Sequence, residues 1–154
     1  MDLQSLLSPE RTAYYQDVAS RKVVLERLSH LICQGLADKN LQASVLEAYL
    51  ARERLGSTAL EHGVAIPHIR AECISAPMLA LIRLQDPINY DGSHHQVDLI
   101  MGLAVPEDAY TEHLTILASI ARLFRQQTVR RRLRNACDSI SLYQTLFEVP
   151  HVTN

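Results

Sequence analysis

The chain has 154 residues, 47% of them hydrophobic and 21% charged, which are the proportions of a globular protein, and one domain over 1–154 is expected. No apolar run approaches the roughly 18 residues of a spanning helix, so no membrane insertion is expected. The opening MDLQSLLSPERTAYYQD lacks the basic-then-apolar order of a secretory signal, which points to the cytoplasm, and a net charge of −2 gives no global pull toward nucleic acid.

Residues 1–19 carry a short apolar piece, Leu3 to Leu7, then Ser8-Pro9 and a polar stretch, read as a strand or turn followed by loop. Ser20 then caps a helix of about 18 residues, with Leu25, Leu28, Ile32 and Leu36 on one stripe. The pattern predicts a second helix over Gln42 to Leu55, with Val45, Leu46, Tyr49 and Leu50 on one face, a stop at Gly56, and Arg52 and Arg54 in its last turn. From Gly56 the period changes. Strand-like runs at Val64 to Ile66, Met78 to Leu84 and Val97 to Val105 are divided by Pro77, by Pro87 with Asp91-Gly92, and by Pro106. Helical spacing returns near Asp108, where Leu114, Leu117, Ala118 and Ala121 line a face, and continues through Val129 to Ala136 and Ser139 to Phe147. Helices, strands, then helices imply a sheet covered by helices.

The stretch GVAIPHIR, residues 63–70, singles out a histidine. Pro67 cannot donate to a strand ladder, so the strand should end there and present His68 just beyond it, on backbone fixed by the proline. A neutral imidazole is a usable nucleophile near pH 7 and can accept a phosphoryl group. His113 lies near the start of the helix that follows Asp108, where free N–H groups favour an anion, although a packed histidine bonded to a neighbouring carbonyl fits the same position. Arg52 fits either a helix-end cap or a fork for phosphate oxygens.

Other clusters are less specific. His62, His68, His94, His95 and His113 are candidate zinc ligands by type, but no pair has metal-binding helical spacing and no cysteine pair helps, so no metal is expected. Cys33, Cys73 and Cys137 are widely spaced and odd in number, which suits reduced thiols. The run RQQTVRRRLR has no nucleic-acid recognition motif around it; it reads as a solvated helix face or as a contact for an acidic partner.

The segment LARERLGSTALEHGVAIPHIR, with HLTILASIARLF and RRRLRNACDSISLYQTLF after it, resembles the type 2 (fructose and mannitol class) enzyme IIA domains of the phosphoenolpyruvate-dependent phosphotransferase system. Within that class it is most similar to the nitrogen-regulatory enzyme IIA, from about Leu3 to Phe147. Arg-Glu-Arg-Leu-Gly-Ser-Thr ahead of Gly-Val-Ala-Ile-Pro-His carries the likeness. The resemblance implies an α/β fold with a mixed β-sheet sandwiched between helices. It puts the phosphorylated histidine on His68, at the tele nitrogen, the second active-site histidine on His113 and the active-site arginine on Arg52, with no cofactor. One departure is Ile69, where the family commonly has a small residue, often glycine.

The implied chemistry is attack of neutral His68 on the phosphohistidine of a histidine-containing phosphocarrier, with Arg52 and His113 stabilising charge on the phosphoryl oxygens. With no transporter domain or enzyme IIB segment attached, the chain is expected to be a stand-alone regulatory carrier. Its phosphorylation state, adding roughly −1.5 to −2 charge, would act on targets such as kinases or potassium-transport proteins. Two alternatives remain: a sugar-specific enzyme IIA that passes phosphate to an enzyme IIB, and a binding module that has lost phosphotransfer, for which Ile69 is the hint.

Overall fold

The computed structural model describes residues 2–93 and 95–148. In chain order the elements are β1 (Thr12–Tyr15), α1 (Arg21–Cys33), α2 (Gln42–Leu55), β2 (Val64–Ala65), β3 (His68–Ala71), β4 (Met78–Asn89), β5 (Gln96–Pro106), α3 (Tyr110–Arg125), α4 (Gln127–Asn135) and α5 (Ser139–Glu148). The strands form one mixed sheet in the order β1-β4-β5-β2, with β3 also on β5. β4 and β5 pair antiparallel; β1 joins β4, and β2 and β3 join β5, in parallel.

Both faces of the central pair are buried, which is why MLALIRL and LIMGLAV read as nearly unbroken apolar runs. Strand alternation divides them between two cores. Ala80, Ile82, Leu84, Ile100 and Ala104 pack with α1 and α2, while Leu79, Leu81, Leu99, Met101 and Leu103 pack with α3, α4 and α5. The sheet is thus sandwiched between helices. α1 comes close to β5 because Gly102 has no side chain: a Cβ there would stand 2.3 Å from Cδ1 of Leu28.

Several expectations change, among them the division at Pro87, which β4 runs through before ending at Asn89. Leu3–Leu6 takes the turn alternative, as a 3-10 turn capped by Asp2, but the stretch expected to be loop contains β1, a short edge strand supported by β4. The Ser20 cap holds, accepting from the amide of Val23, but α1 has 13 residues and the chain turns after Cys33. α3 keeps only part of the predicted face. It buries Ile116, Ile120, Leu123 and Phe124, whereas Leu114 is 69% exposed and Ala118 lies on the surface. Leu117 and Ala121 of the predicted face still pack against this core, at its margin, while the centre of the buried stripe is two isoleucines, a leucine and a phenylalanine, which remove more apolar area from water.

Candidate active site

The presentation of His68 begins at Pro67. Val64 and Ala65 pair with Leu99 and Ile100, the amide of Ile66 leaves the sheet to donate to the carbonyl of Thr58 at 3.0 Å, and Pro67 has no amide to offer. Pairing resumes at His68, opposite Leu103, so His68 opens a second short strand where a loop was expected. The interruption leaves the carbonyl of Ile66 facing the His68 ring, 2.8 Å from Nδ1. A carbonyl only accepts, so Nδ1 carries the hydrogen and the lone pair lies on Nε2.

Arg52 meets that lone pair. Its Nε–H donates to Nε2 of His68 at 3.1 Å, and its Nη1 donates to the carbonyl of Gly56 at 2.8 Å, just past the end of α2. One turn earlier, buried Tyr49 donates its hydroxyl to the carbonyl of Leu103 at 2.9 Å. Leu103 is the β5 residue opposite His68, so this bond fixes α2, and with it Arg52, against the strand that carries the histidine. Gly56, at φ 151 and ψ 151, occupies a region open essentially to glycine alone, which lets the chain leave the helix sharply under Arg52.

α3 brings His113 to the same place: its ring centroid lies 5.1 Å from that of His68, edge to face at 66°. Its Nε2 is buried with no hydrogen-bond partner among the described residues. Burial, and then the charges of His68, Arg70 and Arg52, push its pKa down to about 4. Burial also lowers the pKa of His68, opposed by the Ile66 carbonyl and assisted by Arg52. Both rings are therefore neutral at pH 7. For His113 the unfolded chain binds a proton below about 6.5, while the native state resists it down to about 4. Its contribution to stability is full above pH 6.5 and is lost as the pH falls through that window. His113→Gln should accordingly flatten the fall in unfolding free energy between pH 6.5 and 4, measured by urea titration at several pH values; an unchanged slope would mean that His113 is not held neutral.

The three residues singled out in the sequence thus meet in space, and two more groups join them. Arg70 follows His68 by two positions on the same strand face, stacks on Tyr110 with its guanidinium carbon 3.8 Å from the ring centroid, and contributes to the low pKa of His113. The second is a buried network around Glu53, which is 5% exposed. Its carboxylate accepts from the hydroxyl of Tyr90 at 2.7 Å, from the Thr58 amide at 3.3 Å and from the Thr58 hydroxyl, with Arg21 at 3.9 Å. It anchors the turn between α2 and β2, on which both Arg52 and the approach to His68 depend. Glu53 and Thr58 stand within the RERLGST run, but only the fold shows that they pair.

Ile69 points away from the site. It is 4% exposed and belongs to the core cluster that includes Val45 and Tyr49, on the opposite strand face from His68. Its bulk does not narrow the approach to the imidazole. The remaining histidines lie elsewhere: His62 neighbours Glu61, and His95 is bonded to Asp91. His94 is outside the described residues. Among those described, no three His, Cys, Asp or Glu residues form a metal-holding group, and no helix is long and apolar enough to cross a membrane.

The family model of the phosphoenolpyruvate-dependent sugar phosphotransferase system, EIIA 2, matches residues 5–149, and the chain belongs to that family. Individual relatives narrow the likeness. The nitrogen regulatory protein of Pseudomonas aeruginosa is 37% identical over 148 residues, covering 96% of this chain and 96% of that protein. The crystal structure of the nitrogen regulatory protein IIA-Ntr from Neisseria meningitidis superposes with a TM-score of 0.81 at 32% identity, over 93% of this chain and 97% of that one. The mannitol IIA of Escherichia coli, at 16% identity and a TM-score of 0.71 over 90% of this chain and 97% of that one, shares the fold.

Proposed function

We propose that the chain is an enzyme IIA of nitrogen-regulatory type that accepts a phosphoryl group on Nε2 of His68 from a histidine-containing phosphocarrier. The observation that carries this reading is the fixed tautomer of His68, with Nδ1–H on the Ile66 carbonyl and the Nε2 lone pair directed at Arg52. Full-length similarity to nitrogen regulatory proteins supports it. In the transfer, the Nε2 lone pair forms a bond to phosphorus as the P–N bond of the donor breaks, and the donor ring recovers its electron pair. Arg52 gives up Nε2 and turns its N–H groups to the phosphoryl oxygens. Because His68 keeps the hydrogen on Nδ1, its ring becomes cationic as the bond forms. The contact to Ile66 O then strengthens along the reaction, which favours the transition state over the resting enzyme.

His113 completes the cradle by donating from Nε2 to a phosphoryl oxygen, and exposed Tyr110 and Leu114 beside it, 63% and 69% exposed, offer an apolar footing for the donor. The phosphorylated form then acts on regulatory targets through the added charge. The test is incubation with phosphoenolpyruvate, enzyme I and the phosphocarrier, followed by intact-mass measurement: the gain of one phosphoryl mass is expected. Onward transfer to a sugar-specific enzyme IIB at a rate matching uptake would favour the sugar-transport reading instead. His113→Ala should slow uptake by about 10²-fold while His68 remains the acceptor. His113→Gln, which keeps a donor, should recover part of the rate. Equal rates per folded molecule in all three proteins would make His113 structural only.

A further inference from the structure

Phosphoryl transfer leaves one end of the molecule unused. Six of the fifteen Lys and Arg residues fall in 122–134, a stretch without Asp or Glu, so the rest of this net-acidic chain holds nine cations against all seventeen carboxylates. Part of the run is structural: Arg130, 7% exposed, donates to the Phe124 carbonyl at 2.7 Å, and Arg134 grips Asp98 while donating to the His62 carbonyl at 2.5 Å. Arg125 and Arg131 are exposed and make no ion pair among the described residues.

Two clefts open there and meet at His62. One, of about 300 Å³, is apolar, walled by Leu60, Val64, Ala121 and Phe124 with Arg125 beside them. The other, of about 330 Å³, is basic, with Arg131, Arg134 and Gln127 in its wall. The ridge between them is strained. Among the described residues His62 is the one non-glycine residue at positive φ, 66°, and Gly63 follows at 80°, where a Cβ would stand 2.5 Å from Nη2 of Arg134. Such a conformation costs about 1 kcal/mol or more and persists because the Arg134–Asp98 pair holds it. The result is an imidazole, 58% exposed, displayed between an apolar and a basic cleft.

We infer that this end is a docking surface for an acidic segment of a partner protein, with one apolar side chain settling on Leu60 and Ala121 and flanking carboxylates reaching Arg125 and Arg131. Charge favours that occupant: a basic end on a chain of net charge −2 orients an acidic partner and repels a basic one. A nucleic acid fits less well, since Phe124 is 3% exposed and gives bases no face to stack on. Glu61, the one carboxylate lining either cleft, confines the partner's negative groups to the arginine side. Arg125 and His113 are twelve residues apart on α3, about 18 Å at 1.5 Å per residue, so an occupant here leaves His68 free for the phosphocarrier.

The test titrates ¹⁵N-labelled protein with a short synthetic peptide of Glu and Asp around a single Leu. Amide shifts are expected at 60–64 and 121–134, with those of His68 and His113 unmoved. The double variant Arg125→Glu/Arg131→Glu should bind at least about tenfold more weakly, with an unchanged melting temperature and with phosphoryl uptake within about twofold of wild type. Replacing the peptide's Leu by Ser should also weaken binding about tenfold. Any of four results would overturn the inference. These are absence of saturable shifts, affinity indifferent to both changes, the same shifts from a single-stranded oligonucleotide at lower concentration, and self-association of the protein alone that the double variant abolishes, which would assign the face to a second copy.

Discussion

His68→Ala is expected to take up no phosphoryl group from the carrier while unfolding at nearly the wild-type temperature. The side chain is half-buried and makes two polar contacts, to the Ile66 carbonyl and to Arg52. Losing them should cost about 1 kcal/mol, because Arg52 can turn to water and keeps its bond to Gly56. The chemical loss is complete, since no other described histidine combines a fixed Nδ1–H, an accessible lone pair and a facing guanidinium. Intact mass after incubation with the phosphorylating system, alongside a thermal melt, separates the two effects. Uptake retained in the folded variant would move the acceptor elsewhere.

The second large effect concerns Arg52. Arg52→Ala should slow uptake by about 10²-fold or more, the usual cost of removing a donor aimed at developing charge. Stability should change by about 1 kcal/mol at most, since the bond to Gly56 is an exposed helix-end contact. Arg52→Lys should restore little, because an ammonium cannot present two N–H groups in one plane to two phosphoryl oxygens. The sign of the rate change is informative in itself. In the resting protein Arg52 occupies the lone pair that attacks in the proposed transfer, so a faster Arg52→Ala would identify the arginine as a guard on Nε2 instead of a transition-state donor.

How much of this was legible in the chain depends on whether a feature is local. The helix over Gln42 to Leu55 is found where its periodicity and Gly56 stop predicted it. The break at Pro67 likewise follows from a residue that has no amide. Long-range features were not legible. β1 is four residues long and takes its hydrogen bonds from β4, so nothing in TAYY distinguishes it from loop. On α3 the predicted Leu117 and Ala121 do pack inward, but the centre of the buried face, Ile116 and Ile120, was set by which side the sheet could cover. Glu53 stands between Arg52 and Arg54 in a helical last turn, and its partner Tyr90 comes from beyond the end of β4, a pairing that no spacing rule reaches. Arg70 needed only strand alternation after His68, and that signal was present in PHIR. The concern over Ile69 came from comparing residue types without direction, and alternation sends the side chain into the core.

The central claim is that Nε2 of His68 is the acceptor. NMR of the ¹⁵N-labelled imidazole, recorded before and after incubation with phosphoenolpyruvate, enzyme I and phosphocarrier, tests it most directly. The expected spectrum keeps the hydrogen on Nδ1 of His68 and shows a one-bond coupling between phosphorus and Nε2 of the same ring. Phosphorus coupled to Nδ1, or to any other histidine, would contradict the account.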